Sequence, residues 1–329
     1  MALPDRYFID DPTTTALKFT STLYGRESEL ERLHEIFENT VGSAGGRKLL
    51  CITGRSGTGK TALVDKMAAP LARKQGHFVR GKFDELGQVL PLSVIFSAFD
   101  SYCHDIAEEN GPVTDAIRGS LEEELGESAN ALTGLMPSLK RLIKPRPTFS
   151  DESCTDAINS ANRAFALFKL FLKAISSPSH PIVLFFDDIQ WADQASLDML
   201  ATVMLTEQVG SLLVIYCYRD NEIGPDHPLQ RQLEDYVSSD VSVSSIPVNP
   251  IDLDATNDMV SSVLQMPLGI ARPLASLIQA KSEGNVFGIH AFMWSLVDDG
   301  LLRYSASLRT WEWDVDEIQN RQLSDNIAD

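Results

Sequence analysis

An apolar run, Leu49 to Ile52, leads directly into Gly54-x-x-x-x-Gly59-Lys60-Thr61, and the apolar residues that follow recur with helical spacing. Few features restrict a fold as tightly. The glycines let successive backbone N–H groups curl around an anion without Cβ clashes, and a helix N-terminus behind them adds partial positive charge. The arrangement works only as strand, loop and helix in that order, the context of a phosphate-binding P-loop. Gly54, Ser56, Gly57, Thr58 and Gly59 then supply the cradle. Lys60 reaches the β- and γ-phosphates, and the Thr61 hydroxyl takes a position on Mg²⁺. The pattern implies a nucleotide-binding protein.

Other apolar runs repeat the theme. Residues 77–84, 181–188 and 212–218 read as strands, with a helix expected over about 194–208. Strands apolar on both faces, alternating with helices, predict a parallel sheet covered on two sides. The strand ending in Asp187 is expected to lie beside the P-loop strand. Leu30, Leu33, Ile36 and Phe37 mark an earlier helix, broken at Ser43 to Gly46. Helices are expected within 92–176, separated at Gly111-Pro112, Gly134, Pro137 and Pro145-Arg146-Pro147. The last of them carries a stripe through Phe165, Phe168, Phe171 and Ile175.

Beyond Pro247 the patterns over 252–300 are helical only, with breaks expected at Pro267, Pro273 and Gly284. A hairpin is expected from Leu301 to Tyr304 against Trp311 to Asp314. Ser324 or Asp325 would cap a helix that the chain does not complete, which suggests a fragment of something longer. The expected organisation is a flexible lead-in (1–22), an α/β core (23–247) with a helical insertion (92–176), a helical segment (248–300), and a hairpin region (301–329).

The net charge is -18, from 28 Lys and Arg against 46 Asp and Glu. That balance leaves no basic excess to neutralise a nucleic-acid backbone and argues against DNA as a partner. Cys51, Cys103, Cys154 and Cys217 form no Cys-x-x-Cys pair, against a disulfide framework or zinc site. Cys51 and Cys217 fall in apolar runs, as small core residues do. The N-terminus lacks the form of a signal peptide, and no apolar run has the length of a membrane span. A soluble cytoplasmic protein with no membrane partner is expected.

Asp187 and Asp188 close an apolar strand at its carboxyl end, where open α/β sheets bind ligands. Two solvated aspartates in a turn would look the same in isolation. Downstream of a P-loop, the first carboxylate is expected to hold Mg²⁺ and the second to polarise an attacking water. Arg219 ends the next apolar strand, where a cation can touch a γ-phosphate; a plain capping arginine is the alternative. Arg55 is expected to point to solvent.

Taken together, these stretches resemble the ATPase module of the STAND branch of AAA+ proteins, the type called origin-recognition-complex-like AAA domains. The matching residues are Leu23 to Glu27, Gly54 to Thr61, Lys82-Phe83-Asp84, Asn162-Arg163, Phe186 to Asp193, Tyr218-Arg219, Gly284-Asn285-x-Phe287 and Asp299 to Leu302. The resemblance implies a P-loop NTPase sheet followed by a helical lid and the start of a winged-helix-like region. It implies ATP and Mg²⁺ held between core and lid, with Tyr24, Gly25 and Arg26 lining the adenine pocket. Trp191 and Asp193 would fix the loop after the carboxylates. Where the family has Gly-Asn-Pro-Phe-Phe, this chain has Gly284-Asn285-Val286-Phe287-Gly288, which puts lid contacts in doubt.

The expected activity is slow Mg²⁺-dependent ATP hydrolysis by a regulatory switch. Its partners would be proteins or a fused output domain such as a kinase or cyclase, with nucleotide-dependent self-association open. An origin-type ATPase acting on DNA, a binding-only module and a metabolic P-loop kinase are the alternatives at this point.

Overall fold

The computed structural model describes residues 17–41, 47–74, 76–85, 90–109, 111–143, 157–177, 179–205, 212–239 and 241–319. The expected breaks at Ser43 to Gly46 and Pro145 to Pro147, the helix start at Ser324 or Asp325, Cys154 and residues 1–16 lie outside them. Two compact units emerge, the first containing 28–56 and 60–248, the second 17–27, 57–59 and 249–319 among the described residues. Residues 23–27 and 57–59 thus group with the helical unit rather than with the core.

In the sheet unit, strands β1 (Arg47–Thr53), β2 (His77–Lys82), β3 (Ile182–Asp187), β4 (Leu212–Tyr218) and β5 (Ser242–Pro247) pair in the order β2-β3-β4-β1-β5. All four pairings are parallel. This corrects the expectation that the Asp187 strand neighbours the P-loop strand, because β4 lies between them. Both runs are equally apolar, so hydrophobicity alone cannot order them. β5, Ser-Val-Ser-Ser-Ile-Pro, was not expected, since an edge strand needs no apolar run.

Every residue of β3 is buried, which requires cover on both faces. One alternating set, with Leu184, Phe186, Val214 and Tyr216, joins a large core. It packs with α4 (Ser93–Glu109), α7 (Ala157–Ile175), α8 (Gln194–Leu205) and α9 (Pro228–Ser238). Phe99 of α4 meets Phe168 and Phe171 of α7 edge to face, with centroids 5.0 and 5.7 Å apart. The opposite set, Val183, Phe185, Leu213 and Ile215, is equally buried. Also buried are Leu33 and Phe37 of α1 (Glu27–Val41) and Leu63 of α2 (Lys60–Asp65). The short α3 (Ala68–Arg73) leads into β2, while α5 (Pro112–Leu125) and α6 (Ala129–Leu132) complete the insertion. Pro112 opens α5, where its missing N–H costs nothing.

The helical unit holds α10 (Leu253–Leu264), α11 (Leu268–Ser282) and α12 (Val286–Asp298). A hairpin of β6 (Leu302–Ser305) and β7 (Thr310–Trp313) follows, then α13 (Val315–Gln319). Pro273 corrects a second expectation, since it sits inside α11 and does not break it. In the second turn of α11 the proline forfeits one ladder bond, and the buried neighbours Ala271, Leu274 and Ala275 hold the helix together. Part of the lead-in packs on this unit. Leu17 is buried in this unit's core, and the Phe19 ring lies 4.1 Å from that of His290.

Candidate nucleotide site

Strand β1 delivers the chain into the loop, and Val248 N–H donates to Thr53 O at 2.7 Å where it leaves the sheet. Gly54 and Gly59 have φ of 146° and 95°. Lys60, 8% exposed, turns its ammonium back on the loop and donates to the carbonyls of Gly54 (2.8 Å) and Arg55 (2.9 Å). Burial lowers its pKa, and Asp188 and Asp187 oppose that shift. Arg55 has an exposed side chain, and Ser56 is exposed as well.

Thr61 and Asp187 are 126 residues apart in sequence, yet Thr61 Oγ1 donates to Asp187 Oδ2 at 2.8 Å. The second carboxylate oxygen accepts the backbone N–H of Asp188 at 3.1 Å. Asp187 is 5% exposed, and that burial raises its pKa, with the Thr61 hydroxyl pulling the other way. A hydroxyl and a carboxylate side by side are hard oxygen donors of the kind Mg²⁺ takes. The residues present therefore fit the ion.

Asp188 adopts a left-handed backbone conformation, φ 51°, uncommon for any residue but glycine. The turn aims its carboxylate at cations from two neighbouring strands. Lys82, which ends β2, approaches Oδ2 to 3.3 Å, and Arg219 Nε, beyond the end of β4, lies 3.7 Å from Oδ1. Arg219 also donates to Glu222 at 2.7 Å and stacks over the Trp191 ring at 4.8 Å. Asp193 caps α8, accepting from Ser196 N–H at 2.9 Å and from its hydroxyl at 2.6 Å.

Lys82 and Glu222 have no expected role from sequence alone. For Lys82 the signal was there: a cation ending a strand at the sheet's carboxyl edge. Glu222 belongs to no strand, and only its spacing of three from Arg219 hinted at a pair.

In the helical unit, the Arg26 guanidinium is buried and donates to the carbonyls of Thr58 (3.0 Å) and Asn249 (2.5 Å). It braces the middle of the loop through the backbone. Tyr24 is half-buried against this unit's core. A Cβ on Gly25 would stand 2.6 Å from Ala255 Cβ, with φ 61°, so this turn needs glycine. Gly57 is likewise constrained at φ 78°, where a Cβ would meet Asn285 Oδ1 at 2.6 Å. Its carbonyl accepts Phe287 N–H at 3.0 Å, and Asn285 caps α12 by accepting Gly288 N–H at 3.0 Å. The Gly284-Asn285-x-Phe287 stretch thus meets the loop without a proline at Val286.

A sequence profile described as AAA ATPase domain matches residues 22–215, more than half of the chain. The chain belongs to the AAA ATPase domain family. Its five-stranded parallel sheet and P-loop are the P-loop NTPase, AAA+ type fold. The Aeropyrum pernix ORC2 protein, solved as ADPNP–ADP complexes, superposes with a TM-score of 0.51 at 13% identity. That match covers 92% of this chain and 68% of the other. Among curated proteins, hybrid signal transduction histidine kinase G of Dictyostelium discoideum is 24% identical over 94% of this AAA ATPase domain chain. The peroxide stress-activated histidine kinase mak2 of Schizosaccharomyces pombe is 23% identical over 82% of it. The chain spans only 10% and 12% of the lengths of those two relatives. Among the described residues, no helix is long and apolar enough to cross a membrane.

Proposed function

We propose that this AAA ATPase domain is a STAND-type regulatory switch of a signalling protein, binding ATP with Mg²⁺ and hydrolysing it slowly. The Thr61–Asp187 hydrogen bond carries the reading, because it joins the P-loop to the end of β3 through two metal-binding groups beside a buried lysine. Lys60 exchanges its loop carbonyls for phosphate oxygens. Thr61 and Asp187 hold the ion, which when bound supplies positive charge against the phosphates. Asp188 orients the attacking water and accepts its hydrogen bond. Arg219 contacts the γ-phosphate and distinguishes ATP from its product. Tyr24, Gly25 and Arg26 are assigned to the adenine end, with Arg26 acting through the Thr58 carbonyl.

The signalling role draws support from the two histidine kinases, of which this chain matches about a tenth. An output domain such as a kinase, a protein partner, self-association on nucleotide binding and a cytoplasmic location are parts of the same proposal.

The test is Lys60→Ala. Losing a charge-assisted contact to phosphate costs about 2–3 kcal/mol of affinity or more. Calorimetry should show ATP binding abolished with the melting temperature preserved. Equal ATP affinity in variant and parent would refute the P-loop assignment.

A further inference from the structure

The turn after β4 contains a carboxylate for which the proposed chemistry has no use. Glu222 closes the short 3₁₀ turn Asp220–Glu222. Its Oε1 accepts Arg219 Nη1 at 2.7 Å, and its Oε2 accepts Gln190 Nε2 at 3.0 Å. The backbone of Gln190 is held at its main-chain carbonyl, 3.1 Å from His227 Nε2, and its side-chain Nε2 also lies 3.4 Å from Asp188 Oδ1. Because His227 Nδ1 accepts the Leu229 N–H, Nε2 is the nitrogen that carries the proton and donates. The Trp191 ring lies under the guanidinium at 4.8 Å, and Asp188 Oδ1 stands 3.7 Å from its Nε.

An arginine side chain ordinarily samples many rotamers, and holding it in one costs entropy at the moment of binding. Here a carboxylate grips one edge of the guanidinium and an indole supports its face. The fork has five N–H donors, so an anion can be met without releasing Glu222. Glu222 is 29% exposed and lies outside the sheet's core, whereas Trp191 packs partly against that core, so its ring is probed by Phe as well as by Ala.

We propose that Glu222 and Trp191 are positioning residues that preset Arg219 for the terminal phosphate, and so determine the preference for ATP over ADP. The inference rests on the nucleotide reading above and names the residues that set its selectivity.

The test titrates the full chain with ATP and with ADP, each with Mg²⁺, by calorimetry, and takes the ratio of the two dissociation constants. A charge-assisted hydrogen bond supports a ratio of roughly tenfold in the parent. Arg219→Ala should bring the ratio to near one. Glu222→Ala should lower it by about three- to fivefold while ADP affinity stays at the parental value. Glu222→Gln, which keeps the acceptor for Arg219 and the side-chain shape, should restore part of it, and Trp191→Phe should retain more than Trp191→Ala. In the Arg219→Ala background Glu222→Ala should change nothing further, an outcome that a merely structural glutamate would not give.

A parental ratio in Glu222→Ala, or an additive loss in the double variant, would overturn the inference. If Lys60→Ala abolishes binding while Glu222→Ala leaves the ratio alone, only this inference fails. If Lys60→Ala binds normally, the nucleotide reading itself fails.

Discussion

Two adjacent buried carboxylates with different partners are the most informative residues in the chain. Asp187 is bonded to Thr61 and lies 3.9 Å from Lys82, whereas Asp188 faces Lys82 more closely and Arg219 as well, from a left-handed turn. Asp187→Asn keeps an oxygen for Thr61 but removes the charge a metal requires, so Mg²⁺-dependent ATP binding should weaken, as titration with and without Mg²⁺ would show. Asp188→Asn should keep ATP and Mg²⁺ bound and slow hydrolysis by roughly a hundredfold or more. Asn tolerates the left-handed conformation nearly as well as Asp, so this variant isolates charge from backbone strain. Parental turnover in Asp188→Asn, measured by phosphate release, would remove its role in orienting water. Both aspartates could be read from sequence, as strand-end carboxylates following a P-loop. Their cationic neighbours could not, because which strands lie side by side is decided by pairing rather than by local pattern.

Among the elements, strands buried on both faces are the most legible in sequence, although the half-buried edge strand β2 and the hairpin are legible too. The apolar runs that became β1, β3 and β4 announce themselves, since strands buried on both faces have no polar side. The edge strand β5 and the amphipathic α9 lack such a run, and neither was anticipated. Pro273 does not end its helix because the burial of Ala271, Leu274 and Ala275 offsets the lost ladder bond, and such packing is invisible in local pattern. The Asn285 cap was legible only as part of a motif. Its energetic share can be measured: Asn285→Ala leaves α12 without its side-chain cap and should cost about 1 kcal/mol. Thermal melts followed by circular dichroism would show the lower midpoint, and an unchanged midpoint would mean that the close approach to Gly57 stabilises the turn without the cap.

Across the whole molecule, two buried histidines should make acid destabilising, against the smaller opposing effect of the raised pKa of the Asp187 carboxyl. Burial holds His77 and His290 at pKa values of about 4, with His180 adding to the shift at His77. In the unfolded chain both titrate near 6.5. Between those values the unfolded chain binds more protons, so stability rises with pH and is lost as pH falls from about 6.5 to about 4. With allowance for solvent screening, the loss is on the order of 2 kcal/mol. Melting at pH 5 should therefore fall below melting at pH 7; coincident curves would show that these rings accept protons as readily when folded. The charge of -18 yields a further expectation, that duplex DNA is not bound at physiological salt. Glu312, Asp314, Asp316 and Glu317 crowd the C-terminal hairpin region, against Arg303 and Arg309 among the described residues, and Arg321 lies outside them. Salt-sensitive binding tighter than about micromolar, with or without ATP, would instead favour an origin-type role. Finally, the helical unit is assembled from distant stretches of chain, and this bears on how the protein is made. Leu17 and Phe19 leave the ribosome well before the helices that bury them, which begin more than two hundred residues later. At about 5–20 residues per second, that interval lasts on the order of ten to fifty seconds. For that time the nascent segment around Leu17 and Phe19 shows its apolar side chains to the surrounding machinery, and a chaperone that recognises short apolar stretches would meet it before its own fold does.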